Sequence, residues 1–216
     1  MIVFDHVTLT HPHMRAPILN DVNLAFHQGD RVGILAAPGS GKSSIARLFS
    51  GVDQPTHGAV HVQDTSWPLG FAGFLHPHLT VRANLNYIAK LTGQVPEEFT
   101  VRVCVLAKLS DQTSQIMRNL TPTQRAVLAY MCTMVTPAKT LIADDTLTVG
   151  DTAMRSRCDA LLGHRLKTDG LIFLSRNVRQ VTQHCDRFFA LTNGRLVPCS
   201  TAALAQTLAT QETEYA

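Results

Sequence analysis

From residue 3 to residue 9 the chain alternates apolar and polar positions and is rich in β-branched residues, and segments 22–26 and 31–36 follow in the same manner. A period of two with such side chains predicts short strands. They lead into a glycine-containing loop, behind which residues 43–50 read as a helix. In GVDQPTHGAVHVQ (51–63), turn residues around Pro55 and Gly58 precede another strand, which is either a return hairpin or a sheet edge.

From about residue 80 to 135 the spacing changes. VRANLNYIAKL, the stretch around VRVCVLAKL, and TQRAVLAYMCTMV carry apolar residues three and four apart, so a helical segment is inserted into a sheet-led chain. Beyond it, TLIADD (140–145) and GLIFLS (170–175) are apolar runs bounded by turns, with a helical stretch at about 152–166 between them. Uninterrupted apolar runs of this length fit buried parallel strands joined by crossover helices. FFALTNGRLVPC (188–199) places two strand-like runs around Asn193-Gly194, a type I′ hairpin signal. A short helix is expected after Ser200. The fold class is therefore α/β with a mixed sheet, a single domain over residues 1–216 that carries a helical subdomain at about 80–135.

At 216 residues and 45% hydrophobic content the chain can bury a large core, which argues against disorder. A net charge of +3 without a dense Lys/Arg block gives no reason to expect nucleic acid as a partner. Cys104, Cys132, Cys158, Cys185 and Cys199 never fall as C-x-x-C, so they read as scattered reduced thiols of a cytoplasmic protein. No stretch approaches the ~18 apolar residues of a membrane span, so any membrane role is expected to run through a partner. The pairs His11/His13 and His76/His78 lack Cys or carboxylate ligands at a recognised metal spacing.

The candidate chemistry begins at AAPGSGKSS (36–44). Gly41, Lys42 and Ser43 complete the phosphate-loop pattern G-x-x-x-x-G-K-[ST], with Ala36 where its first glycine belongs. Backbone N–H groups of Gly39, Ser40, Gly41 and Ser44, with the helix N-terminus, supply partial positive charge to phosphates, and Lys42 adds a full one. Pro38 has no N–H to contribute. A magnesium ion needs oxygen ligands, which Ser43 and Asp144, at the end of an apolar strand, provide. Asp145 is placed either to orient a water molecule or to cap the turn that follows. ATP and Mg²⁺ are the expected ligands.

These pieces in this order, over nearly the whole chain, resemble the ATP-binding subunit of an ABC transporter. SWPLGFAGFLHPHLT (66–80), Asn84, YIAKLTG (87–93) and VGD (149–151) are similar in particular to the capsular polysaccharide exporters. The resemblance implies an ABC-type nucleotide-binding domain that dimerises around two ATP molecules on the cytoplasmic face of the inner membrane. Closure of that dimer would drive a transmembrane permease exporting a lipid-linked polysaccharide, with attack of water on the terminal phosphate resetting it. It also implies that His11 stacks on adenine, that Thr121 and Gln124 in LTPTQR (120–125) belong to the signature segment, and that Asp151 lies in the loop after the acidic strand. Trp67 and the apolar run to Leu79 would help to receive the permease.

The departures from the family pattern gather around the terminal phosphate. Asp145 stands where the general-base glutamate is expected, one methylene shorter. Arg176 replaces the switch histidine; it can donate hydrogen bonds but cannot relay a proton. Pro122 and Thr123 replace signature glycine positions, and Thr121, Pro122 and Gln124 equally compose an ordinary helix cap. The expected glutamine before the insert is missing, with Phe71 or Ala72 near its place. The chain thus reads as an ABC-type ATPase of weak activity, or as a non-catalytic subunit dimerising with itself or with an intact paralogue. A P-loop kinase for a small metabolite is a further alternative, which the scattered arginines of the insert do not favour.

Overall fold

The N-terminal alternation becomes β1 (Ile2–Leu9) and β2 (Leu19–Phe26), which pair antiparallel, with β4 (His57–Val62) on the far side of β1. The structure is a computed structural model that describes residues 1–12, 16–63, 65–70 and 72–211. Within β1 the alternation is not strict: Ile2 and Phe4 are buried, and then Val7 and Leu9. An extra residue between Phe4 and Val7 switches the phase, and β2 makes the matching switch between Val22 and Leu19. His6 (φ 49) and Asp21 (φ 50) occupy these bulges in the left-handed region, and His6 Nδ1 lies 2.6 Å from Asp21 Oδ1.

Six strands form the larger sheet in the order β5-β6-β7-β3-β8-β9. Strands β3 (Arg31–Leu35), β5 (Ser66–Pro68), β6 (Thr140–Asp144), β7 (Gly170–Ser175) and β8 (Arg187–Thr192) pair in parallel. β9 (Arg195–Cys199) returns antiparallel through Asn193 and Gly194, whose φ angles of 48 and 70 are those of the type I′ turn. The sheet is mixed, as expected, and the apolar runs are its buried interior. Ser66–Pro68 is not foreseen as a strand; its three residues are too few to show a period. Trp67 pairs with Leu141 at the sheet edge, where Pro68 is tolerated.

By their contacts the described residues divide into two compact units. The first comprises Met1–Pro68, Ala138–Asp145 and the chain from Thr168, and so contains both sheets, α1 (Lys42–Phe49), α6 (Val178–His184) and α7 (Ala202–Gln211). Its core joins the two sheets through α1: Phe49 stacks on Phe4 at 4.8 Å and meets Phe26 edge-on at 5.1 Å, and Phe26 lies 5.9 Å from Phe189.

The second unit comprises Leu69–Pro137 and Thr146–Lys167, so it takes in more than the 80–135 segment. It contains α2 (Val81–Leu91), α3 (Pro96–Ala107), α4 (Pro122–Val135) and α5 (Thr152–Arg165). α5, which the sequence marks only as a crossover, is tied to α4: Tyr130 donates to the Cys158 carbonyl at 3.2 Å, and Arg165 Nη1 donates to the carbonyls of Thr133, Met134 and Thr136. Those carbonyls belong to the end of a helix, where a cation is favourable. Asn84 is buried and bridges the turn before α2, accepting from His76 N–H at 2.6 Å and donating to the His76 and Thr80 carbonyls. The cysteines are free thiols, and burial raises those of Cys104, Cys132, Cys158 and Cys185, the last to about 12.

Asp21 raises the pKa of His6 above its ordinary value, chiefly by accepting its hydrogen bond and then by its charge. The folded value lies above the unfolded one, so the pair's contribution is complete below about pH 6.5 and is lost as pH rises through the folded value. Asp21→Asn should therefore lower the melting temperature relative to wild type at about pH 5.5 more than at about pH 8. A pH-independent gap would show that the pair does not titrate with folding.

Candidate phosphate-binding site

β3 is a central strand, and the loop leaves it with Ala36 N–H donating to the Ser175 carbonyl at 3.3 Å. Ala36 is fully buried and is not among the residues of positive φ, so the alanine in place of the first glycine carries no backbone penalty. Gly39 (φ 75) and Gly41 (φ 89) do need the left-handed region. At Gly41 space is short as well: a Cβ there would come within 2.6 Å of Ile18 Cγ2. The alanine and the two glycines thus answer different demands of one loop.

Gly41 is the N-cap of α1 and, having no side chain, cannot cap it. Thr80, Thr121, Asp151 and Asn177 do cap the helices that follow them. The first intrahelical bond of α1 runs from Ile45 N–H to the Gly41 carbonyl, which leaves the preceding N–H groups pointing out of the helix end. Lys42 is 7% exposed, and its Nζ donates to the Ala37 carbonyl at 3.1 Å, with Asp145 Oδ2 at 3.9 Å. An ammonium with three donors and one close acceptor has room for an anion. Ser40 Oγ donates to the same Ala37 carbonyl at 2.8 Å, and Ser44 Oγ accepts from Arg47 at 3.2 Å.

Ser43 follows Lys42 on α1, and its hydroxyl donates to Asp144 Oδ2 at 2.5 Å. A hydroxyl and a carboxylate brought together from a helix start and a strand end are the oxygen donors that Mg²⁺ prefers. The donor set fits that ion. Asp145 comes next, at φ 54; its N–H donates to the Leu174 carbonyl at 2.8 Å, and its Oδ1 accepts from Arg176 N–H at 3.2 Å. Lys42, Ser43, Asp144, Asp145 and Arg176 thus meet where α1, β6 and β7 end or begin. The role of the Ala37 carbonyl as the partner of Lys42 is not visible in the sequence, because a main-chain acceptor has no residue signature.

Other expected site residues lie in less informative places. His11 is exposed, two residues past Leu9, whose carbonyl accepts from Ile18 N–H at 2.7 Å, and Ile18 is the residue that crowds Gly41. Thr121 and Gln124 belong to the second unit and form a reciprocal capping box: Thr121 Oγ1 accepts from Gln124 N–H at 3.2 Å, and Gln124 Oε1 accepts from Thr121 N–H at 2.8 Å. Asp151, also of that unit, caps α5 by accepting from Met154 N–H at 2.8 Å. Ala72 begins a short 3₁₀ turn, while Phe71 and His13 lie outside the described residues.

A mostly parallel sheet with a phosphate loop at its centre and an acidic strand end beside it defines a nucleotide-binding cassette, and residues 19–148 match the ABC transporter family, to which the chain belongs. It is an ABC ATP-binding subunit related to capsule polysaccharide export ATP-binding proteins. Identity is 29% over 178 residues with the ATP-binding protein BexA of Haemophilus influenzae, covering 82% of each chain. With the capsule polysaccharide export ATP-binding protein CtrD of Neisseria meningitidis serogroup B it is 27% over 200 residues, covering 91% of this chain and 92% of that one. The fold is that of the ATP-binding cassette MJ0796, solved as a dimer bound to ADP and Pi, with a TM-score of 0.74 at 20% identity over 91% of this chain and 96% of that chain.

Gly39→Ala should cost about 1–2 kcal/mol of stability, because only the left-handed φ opposes it and its Cβ would meet nothing within 4 Å. Gly41→Ala adds the collision with Ile18 and should cost about 1–3 kcal/mol more. Chemical denaturation of the two variants checks the order; equal losses would mean that Ile18 yields freely.

Proposed function

We propose that this chain is the ATP-binding subunit of a transporter that exports a capsular or other lipid-linked polysaccharide. The observation that carries the reading is the Ser43–Asp144 bond at 2.5 Å beside the buried Lys42 ammonium, since it assembles a cation's oxygen ligands next to a phosphate's counter-charge. In this reading the N–H groups of Gly39 to Ser44 and Lys42 hold the ATP phosphates, and Ser43 and Asp144 hold Mg²⁺, which when bound neutralises charge on the phosphates. Arg176 reaches the terminal phosphate with Asp145 beside it, and His11 stacks on the base. The name of CtrD, a capsule polysaccharide export ATP-binding protein, supports the substrate class. No helix among the described residues is long and apolar enough to cross a membrane, so a transmembrane permease is the proposed partner and the cytoplasmic face of the inner membrane the proposed place. The subunit works as a dimer of single domains, each with a helical subdomain at about residues 80–135; Thr121 and Gln124 within that subdomain, and Asp151 beyond it, serve the nucleotide of the opposite subunit.

Turnover in this reading is slow, because Asp145 is about 1.5 Å shorter than a glutamate and Arg176 cannot relay a proton. One observation favours a second reading, a binding subunit that relies on an intact paralogue: the side chains of Thr121 and Gln124 are already committed to the capping box.

Titration of the purified chain with ATP, with and without Mg²⁺, tests the proposal. Lys42→Ala should weaken ATP binding by roughly tenfold to a hundredfold, the worth of a charged hydrogen bond. Asp144→Asn should remove most of the Mg²⁺ dependence of that affinity while leaving metal-free binding in place. ATP affinity indifferent to both substitutions would sink the proposal.

A further inference from the structure

Asp145 turns the chain at the end of β6; it is exposed, yet its N–H and both carboxylate oxygens have protein partners nearby. The N–H donates to the Leu174 carbonyl at 2.8 Å, Oδ1 accepts from Arg176 N–H at 3.2 Å, and Oδ2 lies 3.9 Å from Lys42 Nζ. The carboxylate therefore bridges the first residue after β7 and the lysine of the phosphate loop. Arg176 is held the other way round: its backbone N–H is fixed by Asp145, while its exposed guanidinium makes no hydrogen bond or ion pair among the described residues. Asp145 and Arg176 line one open depression with Ser175, Asn177 and Arg179. A guanidinium offers five donors in a rigid fork suited to phosphate oxygens. Its usefulness depends on the backbone from which it springs.

We infer that Asp145 is a positioning residue that acts through Arg176: its carboxylate fixes the backbone from which the guanidinium reaches the terminal phosphate of a bound nucleoside triphosphate. The inference rests on the nucleotide reading above and divides the labour between two residues that the sequence presents as separate substitutions. An aspartate can hold the neighbouring N–H because it is short. The length that makes it a poor substitute for an outward-reaching base suits it to a backbone strut. Arg176 then serves as the sensor of the terminal phosphate, and preference for triphosphate over diphosphate depends on both residues.

The test compares Asp145→Asn with Asp145→Gly, each with Arg176 intact and with Arg176→Ala, by measuring dissociation constants for Mg-ATP and Mg-ADP. Both replacements remove the charge, and both tolerate the left-handed φ; only asparagine retains an acceptor for Arg176 N–H. With Arg176 intact, the ATP-over-ADP preference of Asp145→Gly should fall about threefold to tenfold below that of Asp145→Asn, the range of one hydrogen bond. In the Arg176→Ala background the two should be equal. Equal preferences with Arg176 intact, or a difference that survives its removal, would overturn the inference while leaving nucleotide binding standing. Wild-type protein that binds neither nucleotide would remove the reading on which it rests. Matching thermal melts establish that each variant is folded.

Discussion

The stacking of Phe49 between the two sheets is the contact on which the site depends. Phe49 is the last residue of α1, and its ring meets Phe4 and Phe26 of the small sheet, of which Phe26 in turn reaches Phe189 of the large one. Aromatic pairs of this kind bury large areas and have preferred geometries, so they fix a helix in rotation as well as in position. With the C-terminal end of α1 held in the core, its N-terminal end is presented at the end of β3. The uncapped N–H groups, Lys42 and Ser43 all inherit their direction from that anchorage.

The second determinant is electrostatic and local. Lys42 is buried, yet its partners are a main-chain carbonyl and a carboxylate 3.9 Å away, short of a close ion pair. Burial without tight pairing is unfavourable for a charge. It is the condition under which an incoming anion is strongly attracted, because water competes little and the helix end adds its own partial charge. Stability held back at this point is available to binding.

Patterns with a period were the readable part of the sequence. The apolar runs 140–145 and 170–175, the glycine loop, and the Asn193-Gly194 turn each encode a backbone requirement in residue type, and each is found where expected. Ser66–Pro68 escaped because three residues carry no period and its pairing partner, Thr140–Asp144, is remote in sequence. The attachment of α5 to α4 escaped because it is made by main-chain carbonyls and one arginine, which leave no apolar signature. The meeting of Lys42, Ser43 and Asp144 was readable from their order and setting. The contact of the Asp145 carboxylate with Arg176 N–H was not, since it goes with a left-handed φ that an aspartate adopts only occasionally.

The paired bulges of β1 and β2 bear on the same loop from the opposite side. Ile2 faces Phe26 and Phe4 faces Leu24 with one offset; Val7 and Val22 meet with another; Leu9 and Leu19 return to the first. Each strand thus carries a phase slip, and the two slips cancel within the span of a few residues around His6 and Asp21. A ribbon with one uncancelled slip would deliver its far end rotated, with the wrong face inward. Here the error is opened and closed before the chain leaves the sheet, so Ile18 arrives behind Gly41 as though the strands had been regular throughout.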